Sequence, residues 1–198
     1  MSLKVAITGG IGCGKSTVCN ILREMGYPVY SCDEIYSEVI KSSDYISQIR
    51  TAFPDAVSDN QVNREVLAGL VFQDRRKLKC LNAIAHPLIM KRLLNQMQRS
   101  QSLFVFAEVP LLFEGNFENL FDKIIVVDRD REQRIHAVCD RDRFTTEKVI
   151  KRIHSQFNYD SEESKVFFKK IGAHVFSNNG DILNLRNQIE NFINIYKK

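Results

Sequence analysis

Gly9-Gly10-Ile11-Gly12-Cys13-Gly14-Lys15-Ser16-Thr17 is the stretch whose reading decides the fold. It fits the pattern of glycine, four residues, then Gly-Lys followed by serine or threonine. Val5-Ala6-Ile7, just before it, is a short apolar run that reads as a buried parallel strand. Behind it Val18, Ile21, Leu22 and Met25 recur at helical spacing, and Gly26 followed by Pro28 gives the stop signal. The glycines therefore lie between a strand and a helix. There the chain can curl tightly and aim successive backbone N–H groups at one point. The helix N-terminus adds unpaired N–H groups and the positive end of a dipole. This is a cradle for nucleotide phosphates, formed by residues 9 to 17. Lys15 is placed to reach the β- and γ-phosphates of ATP as a point charge, and Ser16 to put its hydroxyl on Mg²⁺. Cys13, in a loop that leads into a helix N-terminus and close to Lys15, is expected to be a reactive thiol shielded by nucleotide.

Composition narrows the class. The chain has 198 residues, 44% of them hydrophobic, and no Pro- or Gly-rich linker, which fits one α/β domain with insertions. Its net charge of +4 suits a small polyanionic substrate. A nucleic-acid reader more often concentrates basic and aromatic residues on one surface, so nucleic acid is not an expected partner. The five cysteines are scattered and form neither a disulfide framework nor a zinc pattern. The sequence runs almost directly into strand one, and no apolar run is long enough to cross a membrane. A reducing, cytoplasmic enzyme is the simplest expectation.

Further along, Val29 to Cys32 reads as strand two, ending at Asp33. Ligands of doubly wound sheets bind at the carboxyl ends of strands, so Asp33 could orient or deprotonate an acceptor; it could equally cap the helix that follows. Residues 34–102 are too long for one crossover and carry three helical stripes: Val66 to Val71, Leu78 to Ala85 and Ile89 to Met97. This reads as a helical insertion for a second substrate, rich in basic residues that include Arg64. His86-Pro87 reads as a boundary between helices, with Pro87 at a first helical position and His86 structural. Leu103 to Val109 is the next strand. Glu108 at its end could hold Mg²⁺ through water or could partner a basic residue. Lys123 to Asp128 is strand four. Arg129, Arg131, Arg134, Arg141 and Arg143 then crowd one segment, and Arg134, Val138 and Arg141 share a helical stripe. The segment reads as a mobile lid whose arginines close over phosphates, or as a salt-bridged surface helix. Val149, Ile150, Ile153 and Phe157 make another helical stripe. Val175-Phe176 is strand five, ended by the turn Asn178-Asn179-Gly180, and Ile182 to Ile193 closes the chain as a helix.

Taken in order, these features resemble the dephospho-coenzyme A kinase family, essentially end to end. The anchors are Thr8 to Thr17, Asp33, His86-Pro87, Pro110-Leu111-Leu112-Phe113-Glu114, Val126-Val127-Asp128, Arg141-Asp142, Gln156 and Asn178-Asn179-Gly180. The resemblance implies a P-loop NTPase fold with a five-stranded, mostly parallel sheet flanked by helices. It implies a single domain over 1–198, with core 1–33, 103–128 and 174–198, an acceptor-binding insertion 34–102 and a lid 129–165. It implies transfer of the ATP γ-phosphoryl group to the ribose 3′-hydroxyl of dephospho-CoA, with Mg²⁺. Asp33 becomes the acceptor-activating base, Lys15 and Arg141 act on the transferring group, and Ser16 and Glu108 serve the metal. Arg64 and His86 contact the acceptor, and Asn178 and Gly180 lie near the adenine. The chain departs from the family's usual pattern at Cys13, Glu108, Arg134, Ala137 and Gly172-Ala173. Of these, Ala137 in place of an arginine and Arg134 in place of a glutamine bear on the lid. Another small-molecule kinase would share the same loop. A guanine-nucleotide switch would be expected to carry Asn-Lys-x-Asp, and this sequence has none.

Overall fold

The computed structural model describes residues 2–72 and 74–197. In chain order its main elements are β1 (Leu3–Thr8), α1 (Lys15–Glu24), β2 (Val29–Ser31), α2 (Cys32–Val39), α3 (Ser43–Ala52), β3 (Val57–Ser58), β4 (Gln61–Val62), α4 (Arg64–Phe72) and α5 (Arg75–Gln98). There follow β5 (Phe104–Glu108), β6 (Lys123–Asp128), α6 (Arg131–Asp142), α7 (Thr146–Ser155), α8 (Glu162–Lys170), β7 (His174–Ser177) and α9 (Ile182–Tyr196). The chain forms two compact units, Met1–Val29 with Ser100–Lys198, and Tyr30–Arg99. Among the described residues, no helix is long and apolar enough to cross a membrane.

The sheet has the order β2-β5-β1-β6-β7. β1 lies parallel to β5, with Ile7 beside Glu108, and parallel to β6, with Thr8 beside Val126. β7 continues parallel to β6, with Asp128 beside Ser177. Strands covered on both faces read as unbroken apolar runs, and β1, β5 and β6 are buried along most of their length. On one face α1 and α9 close over Val5, Ile7, Phe104, Phe106, Ile125 and Val127. Tyr27 stands edge-on to both Phe104 and Phe106, with ring centroids 5.8 and 5.7 Å away. α1 stops as its sequence requires. Gly26, with φ of 84°, donates to the Arg23 carbonyl, and Tyr27 donates to that of Leu22.

The second unit is built on α5, which packs against α2, α3 and α4. Here the structure corrects the sequence reading. α5 runs unbroken through His86 and Pro87, with Pro87 inside the helix. An interior proline costs about 3 kcal/mol. Ala85, Met90, Leu93 and Met97 are buried on both sides of that position, and their packing holds the axis through it. Helix α3 and the β3–β4 hairpin escaped the sequence reading. The hairpin turns on Asp59 and Asn60, both at positive φ (48° and 58°), a conformation that Asp and Asn tolerate. Helix α8 also escaped it, and α7 ends at Ser155, so Phe157 is not part of its stripe.

Phe106 is fully buried under α1 and α9. Phe106→Ala should cost about 3–5 kcal/mol in urea unfolding, as large core truncations do. Leu103→Ala, at a half-exposed position just before β5, should change stability by less than about 0.5 kcal/mol.

Candidate active site

The loop between β1 and α1 is the centre of the site. Among the described residues eight helices open on a side-chain cap, from Ser31, Ser42, Asn63, Asp74, Asp130, Thr145, Ser161 or Asp181. α1 opens on Gly14, left-handed at φ 94°, with no side-chain acceptor over its first turn. The N-terminus that a phosphate would use is thus the one that no side chain covers.

The loop is held close against its neighbours. A Cβ on Gly9 would strike the Val127 carbonyl of β6. One on Gly10 would strike Nη1 of Arg134, and one on Gly12 would come within 2.6 Å of the Arg134 carbonyl. One on Gly14 would strike the Asn178 amide, which donates to the Cys13 carbonyl at 2.9 Å. Lys15 Nζ folds back on the loop, donating to the carbonyls of Gly9 at 2.9 Å and Gly10 at 3.1 Å. Ser16 is exposed, and its hydroxyl points at Glu108 Oε1, 3.5 Å away at the end of β5. Ile11 and Thr17 are half-buried within the loop and the first turn of α1.

A segment after α7 straps this loop. Gln156 Oε1 accepts the Ile11 N–H at 2.9 Å. Tyr159 shares a 3.0 Å hydrogen bond with Thr8 at the end of β1. Asp160 Oδ2 accepts from Arg134 Nη2 at 2.6 Å. Beneath the strap Phe113, Phe157, Tyr159, Phe167 and Phe168 pack as one aromatic group, with Phe113 and Phe157 centred 4.9 Å apart. Burial raises the Tyr159 phenol, so it stays a neutral hydroxyl. Gln156 was among the residues that carry the family resemblance. Tyr159 and Asp160 give no local signal, because their partners lie 151 and 26 residues away.

Other expected site residues fall as follows. Arg141, in the last turn of α6, keeps 63% of its side chain exposed and pairs with the adjacent Asp142. The shared stripe of Arg134, Val138 and Arg141 divides, because the first two are buried and the third is not. Asn178 sits against the loop, and Gly180 lies in the exposed turn before α9. In the second unit Asp33 is exposed in the first turn of α2. The cap there is Ser31, whose hydroxyl accepts the Asp33 N–H, so Asp33 is not needed as the cap. Arg64 is exposed at the start of α4, with its guanidinium over the Tyr36 ring. His86 is half-buried within α5.

The expectation of a reactive Cys13 is overturned. Its side chain is fully buried beneath the loop. Burial raises its pKa, outweighing the favourable charge of Lys15, whose Nζ is 3.9 Å from the sulfur. Cys19 is pushed up to about 12, chiefly by burial and then by Glu108. Local sequence supplied a helix N-terminus and a lysine, but a thiolate also needs solvent or a dominant cation.

Comparison with known proteins agrees with this geometry. The family model described as dephospho-CoA kinase matches residues 3–184. A dephospho-CoA kinase of Thermus thermophilus is 33% identical over 186 residues, covering 94% of this chain and 88% of that protein. A crystal structure from the same organism superposes with a TM-score of 0.81 at 30% identity, covering 98% of this chain and 97% of that one. A dephospho-CoA kinase structure from Campylobacter jejuni, 24% identical, shares the fold at a TM-score of 0.66, over 100% of this chain and 98% of that one.

The burial of Cys13 gives a direct test. In the native protein a thiol reagent should modify exposed Cys80 quickly, and should leave Cys13 and Cys19 untouched with or without ATP. Peptide mapping by mass spectrometry should find Cys13 labelled only after unfolding.

Proposed function

The chain belongs to the dephospho-CoA kinase family, and we propose that it transfers the γ-phosphoryl group of ATP to the ribose 3′-hydroxyl of dephospho-CoA, giving CoA and ADP. The observation that carries this reading is the family match over residues 3–184, which takes in both the phosphate loop and the second unit.

Phosphoryl transfer asks a protein mainly to position the reactants and to stabilise charge on the transferring group. The uncapped first turn of α1 and the loop amides bind the phosphates. Lys15, held by two loop carbonyls, needs only to exchange those acceptors for phosphate oxygens. Two oxygen donors, Ser16 Oγ and Glu108 Oε1, lie 3.5 Å apart beside the loop. They suit Mg²⁺, which takes few protein oxygens and keeps several waters. When bound, that ion would neutralise charge on the β- and γ-phosphates.

Asp33 follows the carboxyl end of a strand, where ligands of parallel sheets bind, and its exposed carboxylate is free of any capping duty. It orients the 3′-hydroxyl and takes its proton late, as the new O–P bond forms. In a loose, metaphosphate-like transition state the proton need not leave in advance. Arg64 and His86 are assigned to the acceptor, Arg141 to the transferring phosphate, and Asn178 and Gly180 to the nucleotide's base end. Reduced cysteines and water-soluble substrates suit a cytoplasmic setting.

The test is ADP release by the purified full chain with ATP and Mg²⁺, with and without dephospho-CoA. Release should depend on dephospho-CoA. Tight nucleotide binding with acceptor-independent hydrolysis would overturn the reading. Lys15→Ala should nearly abolish transfer without lowering the melting temperature, since it removes several kcal/mol of charge stabilisation in the transition state. Asp33→Asn should lower kcat by about 10²–10⁴-fold with KM for ATP nearly unchanged. A drop in kcat below about fivefold, with chemistry rate-limiting, would remove Asp33 from the role of base.

A further inference from the structure

Arg134 differs from its basic neighbours. Arg131, Arg141 and Arg143 are exposed, whereas Arg134 keeps only 3% of its side chain accessible. A buried guanidinium is costly unless its donors meet acceptors. Nη2 has Asp160, at 2.6 Å. Nε is buried and has no acceptor. Nη1 lies against Gly10, at the position a Cβ would take. Lys15 Nζ donates to the carbonyl of the same Gly10 at 3.1 Å. Two cationic heads thus converge on one residue of the phosphate loop. A cavity of about 390 Å³ opens beside Arg134, its lining including Gly10, Arg131, Arg134, His154, Gln156 and Asp160. Its fixed charges are two arginines against one aspartate, and that aspartate is partly solvated.

We propose that Arg134 grips the terminal phosphate of the bound nucleotide, and that Asp160 holds the guanidinium in position for it. The inference rests on the kinase reading and adds a phosphate-binding residue to it. The lysine of such a loop serves the β- and γ-phosphates. A guanidinium lying against Gly10, whose carbonyl holds that lysine, is a second cation on the same loop and is assigned to the terminal group. A phosphate there offers the acceptors that the guanidinium lacks, and the planar fork can keep Asp160 on one nitrogen while turning other donors to phosphate oxygens. ADP has no terminal phosphate to offer. Arg134 then favours ATP over ADP, which helps product leave.

The experiment is calorimetric titration of the full chain with Mg²⁺ and either ADP or the non-hydrolysable β,γ-imido analogue of ATP. Arg134→Met should weaken the analogue by roughly 10- to 100-fold, the value of a charge-assisted contact, and leave ADP affinity about unchanged. Arg134→Lys, a point charge without the fork, should fall between. Arg134→Met/Asp160→Asn removes the unpaired carboxylate and carries the same test if the single variant folds poorly. Equal weakening of both nucleotides would make Arg134 a support for the loop only, and would overturn the proposal, as would no change in either. The kinase reading fails separately, if the wild-type protein binds both nucleotides but turns over no dephospho-CoA.

Discussion

Everything at this site depends on the absence of side chains along one short loop. Gly9, Gly10, Gly12 and Gly14 each let a different neighbour approach to where a Cβ would stand: the Val127 carbonyl, the Arg134 guanidinium, the backbone of α6 and the Asn178 amide. The glycines of a phosphate loop are usually explained by what they offer the ligand. In this protein they are equally what lets β6, α6 and the turn after β7 press on the loop. An added methyl group at any of these four positions would disturb that packing.

That packing matters because the loop has little else to fix it. α1 begins without a side-chain cap, whereas its neighbours use serine, threonine or aspartate for that purpose. With glycine as the N-cap, doing without a side-chain cap forgoes only about a few tenths of a kcal/mol of helix stability. The loss is offset along the buried side of α1, where Val18, Cys19, Ile21 and Leu22 are almost wholly removed from water. The helix is therefore held by its flank and left open at its end.

The strap after α7 joins polar precision to apolar mass. Gln156, Tyr159 and Asp160 reach Ile11, Thr8 and Arg134, three points around the loop. The two neutral bonds, from Gln156 and Tyr159, would each contribute only about 1 kcal/mol. Their directions are fixed because Phe157 and Tyr159 are packed among Phe113, Phe167 and Phe168, with Phe157 and Tyr159 centred 5.1 Å apart. Glu114 adds a further tie, accepting the Phe157 N–H at 2.8 Å. Preorganisation of this kind suits phosphoryl transfer, in which the protein's contribution lies in placing charge and not in moving it.

The sequence by itself determined the phosphate loop, the strand before it and the helix after it, the stop of α1 at Gly26 and the family. These are encoded locally, by glycine spacing, by apolar runs and by the order of short motifs, and backbone conformation answers to such near neighbours. Lys123–Asp128 could be read as a strand to the residue for the same reason. What tertiary structure alone decided is what each side chain meets. Cys13 has the local surroundings of a reactive thiol and becomes inert because the loop is packed over it. Arg134 and Arg141 lie on one helix, yet the first is buried against Asp160 and the second stays in water. Pro87 carries a strong helix-boundary signal, and α5 runs through it because buried residues on both sides are held by α2, α3 and α4. Burial and pairing depend on partners tens to more than a hundred residues away, such as Tyr159 for Thr8. No local window contains that information, and it comes into being only when the chain has folded.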